Sequence, residues 1–300
     1  MLTLTILAPA KINLALRVLG KRVDGFHQIF TLFQSICLHD RLTFCQTEQE
    51  MKVFSSSKEV PAGRSNIVWT AAERLWSASG RRGVPVGVTI IINKQIPTSA
   101  GLGGGSSDAV AALRGLCRIW NLSMKSEELL EVASSIGSDV PYFMNGGLAV
   151  AGGRGEQLRQ LNDLESFWVL LASPEYGVSA KEAYEWFDAD CGLQANNYDS
   201  KPLLPNGWRS RLGTLNNDLE QSVSRRHPDI GEMRRALSIK GAHLTAMTGS
   251  GSTVFGLFKD KNKALSARFG TKLPGWRSLV TQTASFSLYK NMCQVNETSH

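Results

Sequence analysis

Pro97–Ala109, P-T-S-A-G-L-G-G-G-S-S-D-A, is a glycine-dense turn that runs straight into an apolar helical pattern. Gly101, Gly103, Gly104 and Gly105 strip side chains from the loop, so its backbone bends freely and its N–H groups can approach a ligand closely. Ser106, Ser107 and Asp108 offer N-cap side chains ahead of the pattern Ala109–Trp120. A helix N-terminus fronted by bare amides favours an anion, because orphan N–H groups and the macrodipole act together. A flexible linker does not usually end in a cap and an amphipathic helix, so the stretch reads as a phosphate-binding loop. Two familiar phosphate loops do not fit it. A P-loop needs Gly-Lys-Ser/Thr at the helix start, and here Gly105 is followed by Ser106. The dinucleotide fingerprint would need glycine at position 106.

The rest of the chain limits the classes it can belong to. Its 300 residues suffice for one large or two ordinary domains, and 42% hydrophobic with 20% charged is an ordinary globular mix. The opening MLTLTILAPAK has no basic region before its short apolar run and reads as no signal peptide. No run approaches 18 apolar residues, so no membrane span is expected. Five scattered cysteines without a C-x-x-C pair point to reduced thiols in a cytoplasmic protein. The net charge of +7 suits an anionic partner. Its basic residues are dispersed as isolated pairs such as Lys21-Arg22 and Arg225-Arg226, which argues against nucleic-acid binding.

Ile12, Leu14, Leu16 and Val18 alternate with Asn13, Ala15 and Arg17, the period of a half-buried strand. Further strands are expected near 3–9, 30–37, 41–46 and 86–93, with Thr47–Asn66 as a loop or hairpin excursion. Helices are expected near 66–79, 107–120 and 126–136. A second half follows Gly152-Gly153, with strands near 167–172, 243–247 and 253–258 and helices near 181–187, 218–225, 229–238 and 261–269. A final strand region is expected at 278–289. Cys191–Asn217 reads as a surface connection, and the polar tail from Asn291 predicts fraying. Irregular mixing of helices and strands gives an α+β class in two lobes.

Three more motifs stand out: APAKINLALRVLGKRVDGFHQI over Ala8–Ile29, IGSDVPYF over Ile136–Phe143 and MTGSGSTVF over Met247–Phe255. Taken alone, Lys11 is a solvated lysine near a strand start, with Asn13 on the same face. Asp139 reads as a cap before a proline-bearing turn, Asp24-Gly25 as a turn and Thr248–Ser252 as a tight hairpin or a small anion nest. Together with the glycine loop, however, the motifs resemble the GHMP kinases, named for galactokinase, homoserine kinase, mevalonate kinase and phosphomevalonate kinase. Their central motif is similar to P-x-x-x-G-L-G-S/G-S. Within that superfamily, P-A-K-I-N…D-G-[YF]-H resembles the branch whose acceptor is a cytidine-diphosphate-linked methylerythritol.

The resemblance covers nearly the whole chain and implies a two-lobed α+β fold with the active site in the cleft. The N-terminal domain would span 1–160 and the C-terminal domain 161–300. It implies ATP-dependent phosphorylation of the acceptor's 2-hydroxyl in the non-mevalonate isoprenoid pathway. ATP would lie on Pro97, Thr98, Ser99, Ala100, Gly101, Leu102, Gly103, Gly104, Gly105, Ser106 and Ser107, with Asn66, Ile67 and Lys94 as adenine-pocket candidates. Lys11 would neutralise the transferring group and Asp139 would accept the hydroxyl proton. On the substrate side it implies Asn13 as a substrate contact, Phe26 stacked on cytosine with Tyr184 on the other face of the base, His27 at the cytosine edge and Thr248, Gly249, Ser250 and Gly251 over the diphosphate. Phe26 replaces the usual tyrosine, which keeps stacking and drops a hydroxyl. Magnesium is expected with ATP, its ligands unassigned beyond the Ser106 and Ser107 hydroxyls and water.

Overall fold

A long hairpin frames the molecule, a computed structural model that describes residues 2–191, 204, 207–271 and 274–299. β1 (Leu2–Lys21) and β2 (His27–Glu50) run antiparallel, with register shifts between Pro9 and Lys11, Asn13 and Ala15, and Val18 and Gly20. The short separate strands expected here are thus pieces of two continuous ones. The shifts are β-bulges, which bend a strand and change the parity of its side chains without ending it. β3 (Lys52–Ser55), α1 (Ile67–Ala78), β4 (Val86–Asn93), α2 (Gly104–Ile119), α3 (Ser126–Ile136), α4 (Val140–Phe143), β5 (Leu148–Gly152) and β6 (Gln157–Gln160) follow. The second half holds β7 (Trp168–Pro174), α5 (Ala180–Cys191), α6 (Leu219–Arg226), α7 (Pro228–Ile239), β8 (Leu244–Met247) and β9 (Val254–Phe258). It ends with α8 (Lys261–Gly270), β10 (Trp276–Gln282), α9 (Phe286–Met292) and β11 (Asn296–Ser299). Most of the expected surface connection, 192–203 with 205 and 206, lies outside the described residues.

Among the described residues, one sheet has the order β11-β1-β2-β4-β3, with β5 on β2 and β6 on β5, and the other is β10-β7-β9-β8. Three apolar clusters hold the layers together. Leu4, Ile6, Phe44 and Ile90 pack with Val68 of α1 and Leu113 of α2. Ile12, Leu14 and Phe30 pack with Val169, Phe255 and Leu257, which joins the two sheets face to face. Leu170 and Val254 pack with Phe187, Leu219 and Met233 of the outer helices. β1 passes through all three clusters, so its middle is buried on both faces rather than half-buried as its alternation predicts. Period-2 patterning reports one apolar face; it does not register a second sheet lying over the polar one.

Three further expectations are corrected. α2 starts at Gly104 with Gly103 as its cap at φ +71°, so Ser106, Ser107 and Asp108 lie inside the helix and none caps it. A left-handed glycine turns the chain into the helix without a side-chain acceptor. The strand region 278–289 ends at Gln282, and Ser285 then caps α9 by accepting the Leu288 N–H at 3.2 Å. The C-terminal tail pairs with β1 in the register Leu2↔Ser299 to Thr5↔Asn296. Main-chain pairing along an open sheet edge needs no apolar side chains, so a polar composition does not preclude it. Among the described residues, no helix is long and apolar enough to cross a membrane, and all five cysteines are free.

Candidate active site

Among the described residues, no strand lies beside the outer edge of β1 beyond Thr5, and its N–H groups find other acceptors. Lys11 N donates to Leu102 O of the glycine loop at 3.0 Å, and Asn13 N donates to Thr248 Oγ1 at 3.0 Å. After the bulge at Asn13/Ala15 the parity switches, so Leu16 N donates to Asn216 O and Val18 N to Asp218 Oδ2. Buried backbone donors must be satisfied, and here their acceptors lie on the glycine loop, the Thr248 turn and the segment Asn216–Asp218 that leads into α6.

Lys11 and Asn13 do share a face, as their parity predicts, but that face is interior, at 3% and 2% exposure. Lys11 Nζ donates to Asn13 Oδ1 at 2.7 Å and to Gly101 O at 2.9 Å, and lies 3.6 Å from Asp139 Oδ2. Burial pushes the Lys11 ammonium below its ordinary value, and the Asp139 carboxylate opposes that shift. Asp139 occupies the position before α4, yet its side chain makes no capping bond and is 34% exposed. The simple capping role is therefore absent, and the carboxylate faces the cleft.

The glycine loop separates two cavities. One, of about 580 Å³, is lined by Lys11, Asn13, Phe26, His27, Asp139, Arg154, Tyr184, Asp188, Gly249 and Ser250. The other, of about 470 Å³, is lined by Asn66, Ile67, Lys94, Asp108 and the run Pro97–Ser106. Gly101 and Gly103 line both. Ser107 lies beneath, its hydroxyl donating to Pro9 O at 2.8 Å. Gly101 sits at φ +74°, and a Cβ there would lie 1.9 Å from Thr248 O. The Thr248 hydroxyl approaches Gly101 O at 3.1 Å and Asn13 Oδ1 at 3.2 Å. The glycines therefore do two jobs, exposing amides on one side and admitting the third motif on the other.

In the smaller cavity, Asn66 caps α1 by accepting the Val68 N–H at 2.8 Å and donates to Pro61 O. Lys94 Nζ is held between the carboxylates of Asp40 and Asp108. Burial pushes the Asp108 carboxyl up to about 7 against the pull of Lys94, and its Oδ1 has no partner. In the larger cavity, Phe26 is 54% exposed with the Arg154 guanidinium 4.8 Å from its ring centroid. Tyr184 stacks on the His27 ring at 4.6 Å and 17° rather than standing free to cover the other face of a base, because α5 carries it against the start of β2. Ser250 Oγ donates to Val178 O, and Gly249 packs against Gly101 and Lys11.

Sequence reading passed over Asn217, Arg154 and Asp188. Asn217 is buried at the end of the connection read as surface, and donates to Met247 O and Gly249 O, anchoring the third motif. Arg154 and Asp188 carry no local signal, since nothing near them in sequence marks a cleft.

A sheet-on-sheet α+β frame with a glycine-capped helix between two cavities defines a GHMP kinase. The model of the GHMP kinases N terminal domain matches residues 66–147, and that of GHMP kinases C terminal matches residues 202–269. This chain belongs to the 4-diphosphocytidyl-2-C-methyl-D-erythritol kinases. It is 40% identical to the one of Bacillus pumilus over 259 residues, 85% of this chain and 88% of that protein. It is 39% identical to that of Moorella thermoacetica, covering 93% and 99%. A crystal structure of 4-(cytidine 5'-diphospho)-2C-methyl-D-erythritol kinase superposes with a TM-score of 0.77 at 31% identity, over 93% of this chain and 98% of that one. Homoserine kinase from Cytophaga hutchinsonii, at 17% identity and TM-score 0.70 over 94% and 95%, shares the fold.

Proposed function

We propose that this protein transfers the γ-phosphoryl group of ATP to the 2-hydroxyl of 4-diphosphocytidyl-2-C-methyl-D-erythritol, a step of non-mevalonate isoprenoid synthesis. The observation that carries the site assignment is the meeting of two cavities at Gly101 and Gly103, with Lys11 and Asp139 beside the junction. ATP occupies the smaller cavity, its phosphates on the first amides of α2 and its adenine near Asn66, Ile67 and Lys94. The acceptor occupies the larger one, with its diphosphate under Thr248–Gly251 and its base at Phe26 and His27. Tyr184 backs His27 and holds that ring's plane.

Asp139 orients the hydroxyl and takes its proton, which leaves late in a loose transition state, so placement counts for more than basicity. Lys11 balances charge on the group in flight. Of the two hydroxyls expected to hold magnesium, only Ser106 lines the smaller cavity, whereas Ser107 is buried and donates to Pro9 O. Magnesium fits Ser106 with the phosphates and several waters, since it binds few protein ligands, and no cluster of three His, Cys, Asp or Glu side chains competes among the described residues. When bound, it would neutralise phosphate charge. We place the division between N- and C-terminal domains near residue 160, with β11 returning to the first sheet, and the free cysteines support a cytoplasmic setting. ADP release measured with the cytidyl substrate, homoserine and mevalonate tests the assignment. Turnover of only the first is expected, and turnover of either other acceptor in its place would refute it.

Two variants probe the cavities separately. A Cβ at Gly105 would meet only Ile67 Cγ2, at 3.6 Å, so Gly105→Val has room to fold. It puts a branched side chain where phosphate meets the amides, so the KM for ATP rises steeply while the melting temperature holds. Normal ATP binding by this variant would leave the loop without its phosphate role. Phe26 is half exposed and contributes little to the core. Phe26→Ala is therefore expected to weaken cytidyl-substrate binding by about 1–3 kcal/mol, the value of one aromatic–base stack, and to leave ATP kinetics and melting nearly unchanged. A large melting shift with no selective effect on the cytidyl substrate would remove the stacking role.

A further inference from the structure

Lys21 closes β1 and His27 opens β2, and the hairpin register sets the two residues directly opposite each other. Asp188, on α5, reaches both. Its Oδ1 lies 2.7 Å from His27 Nε2 and its Oδ2 lies 2.6 Å from Lys21 Nζ. Burial disfavours the Asp188 carboxylate, but the hydrogen bonds from Lys21 and His27 outweigh it and hold the carboxyl below its ordinary value. An ionised carboxylate only accepts hydrogen bonds, so the 2.7 Å contact requires a hydrogen on Nε2. In the neutral ring that leaves a lone pair on Nδ1. His27 is 8% exposed, lines the larger cavity and has no Nδ1 partner among the described residues. Tyr184, one helical turn before Asp188 on α5, fixes the ring plane by stacking at 4.6 Å and 17°. The other charged groups on this cavity are Lys11, Asp139, Arg154, Lys181 and Glu185, and none bonds to the imidazole.

We propose that Asp188, balanced by Lys21, is a positioning residue that sets the tautomer of His27 and thereby selects cytosine over uracil. This rests on the reading above that the cleft takes a cytidine diphosphate with His27 at the base edge. Cytosine presents an exocyclic amine at C4, a donor that matches the Nδ1 lone pair. Uracil presents an oxygen there, and two acceptors facing each other leave both unsatisfied. A buried unsatisfied group of this kind disfavours the uridine substrate by about 10- to 100-fold. Lys21 removes the net negative charge that an unbalanced Asp188 would place beside the imidazole.

Asp188→Asn tests this with nearly the same shape. Lys21, a donor only, takes the amide oxygen, which turns the amide NH2 toward His27. Nε2 must then accept, and the hydrogen moves to Nδ1, so the ring now donates toward the base. The ratio of kcat/KM for the cytidine-diphosphate substrate to that for its uridine-diphosphate analogue should fall by about 10- to 100-fold, with the KM for ATP unchanged. Nitrogen NMR of the histidine side chains should show His27 protonated at Nε2 in the unaltered protein and at Nδ1 in the variant. An unchanged ratio overturns the proposal, as does an unchanged tautomer or a parallel loss on both substrates with a lowered melting temperature. If the unaltered enzyme fails to turn over the cytidyl substrate, the functional reading falls and base selection with it, whereas the NMR result reports on Asp188 alone.

Discussion

Asp139→Asn should lower kcat by about 10²–10⁴, the usual worth of a positioned base, while both KM values stay within a few-fold of the parent enzyme. The amide keeps the shape of the carboxylate but cannot accept the hydroxyl proton. Folding should survive, because the Asp139 side chain caps no helix and is a third exposed. Lys11 loses its 3.6 Å neighbour but keeps Asn13 Oδ1 and Gly101 O as acceptors. A second consequence concerns pH. Burial pushes the Lys11 ammonium down and Asp139 pushes it up, so removing the carboxylate lets Lys11 give up its proton at lower pH. The alkaline limb of the residual activity should therefore move toward neutrality. Steady-state kinetics across pH decide both points, and an unchanged kcat would remove Asp139 from the chemistry.

Gly101→Ala is expected to damage the whole protein rather than one substrate's kinetics. The added Cβ would lie 1.9 Å from the main-chain oxygen of Thr248, and backbone cannot swing aside as a side-chain tip can. The residue also sits at φ +74°, which costs an L-residue about 1–2 kcal/mol before any clash. Relieving the clash means moving the glycine loop off the third motif. That breaks the contacts of Gly101 O with Lys11 Nζ and the Thr248 hydroxyl. A loss of roughly 3–5 kcal/mol follows, at the upper end of single substitutions, with both KM values and kcat failing together. Urea unfolding measures it, and a variant within about 1 kcal/mol of the parent would mean that the two loops do not depend on one another. Set beside Gly105→Val, it separates a glycine needed for closure from one needed for ligand space.

Local chemistry explains what could be read before the fold was known. The glycine loop, the Asp24-Gly25 turn and most helices follow from residue types acting on their own backbone: left-handed glycines, Asx turns and apolar periodicity. α1, α3 and α6–α8 accordingly begin and end within a few residues of the expected positions. The same locality explains the misplaced start of α2, where three cap-forming side chains pointed to a later start and Gly103 capped the helix without one. The family was also legible, because the glycine loop and the three motifs are sequence facts that resemblance could connect.

Tertiary structure alone decided how those parts meet. Nothing near Lys11 says that its ammonium is buried against Gly101 O, because that bond spans 90 residues. Asn13 and Thr248 are joined across 235 residues, through an edge of β1 whose donors change parity at a bulge. The polar C-terminal tail becomes a strand only because β1 offers it an edge. Asp188 is one more acidic residue on an amphipathic helix until the β1–β2 register sets Lys21 and His27 side by side in front of it. Sequence by itself determined the candidate groups, Lys11 and Asp139 among them, and the local turns that present them, since both depend on neighbours along the chain. Their mutual geometry, their burial and the electrostatics that follow from it depend on neighbours in space, and these exist only once the two sheets have packed.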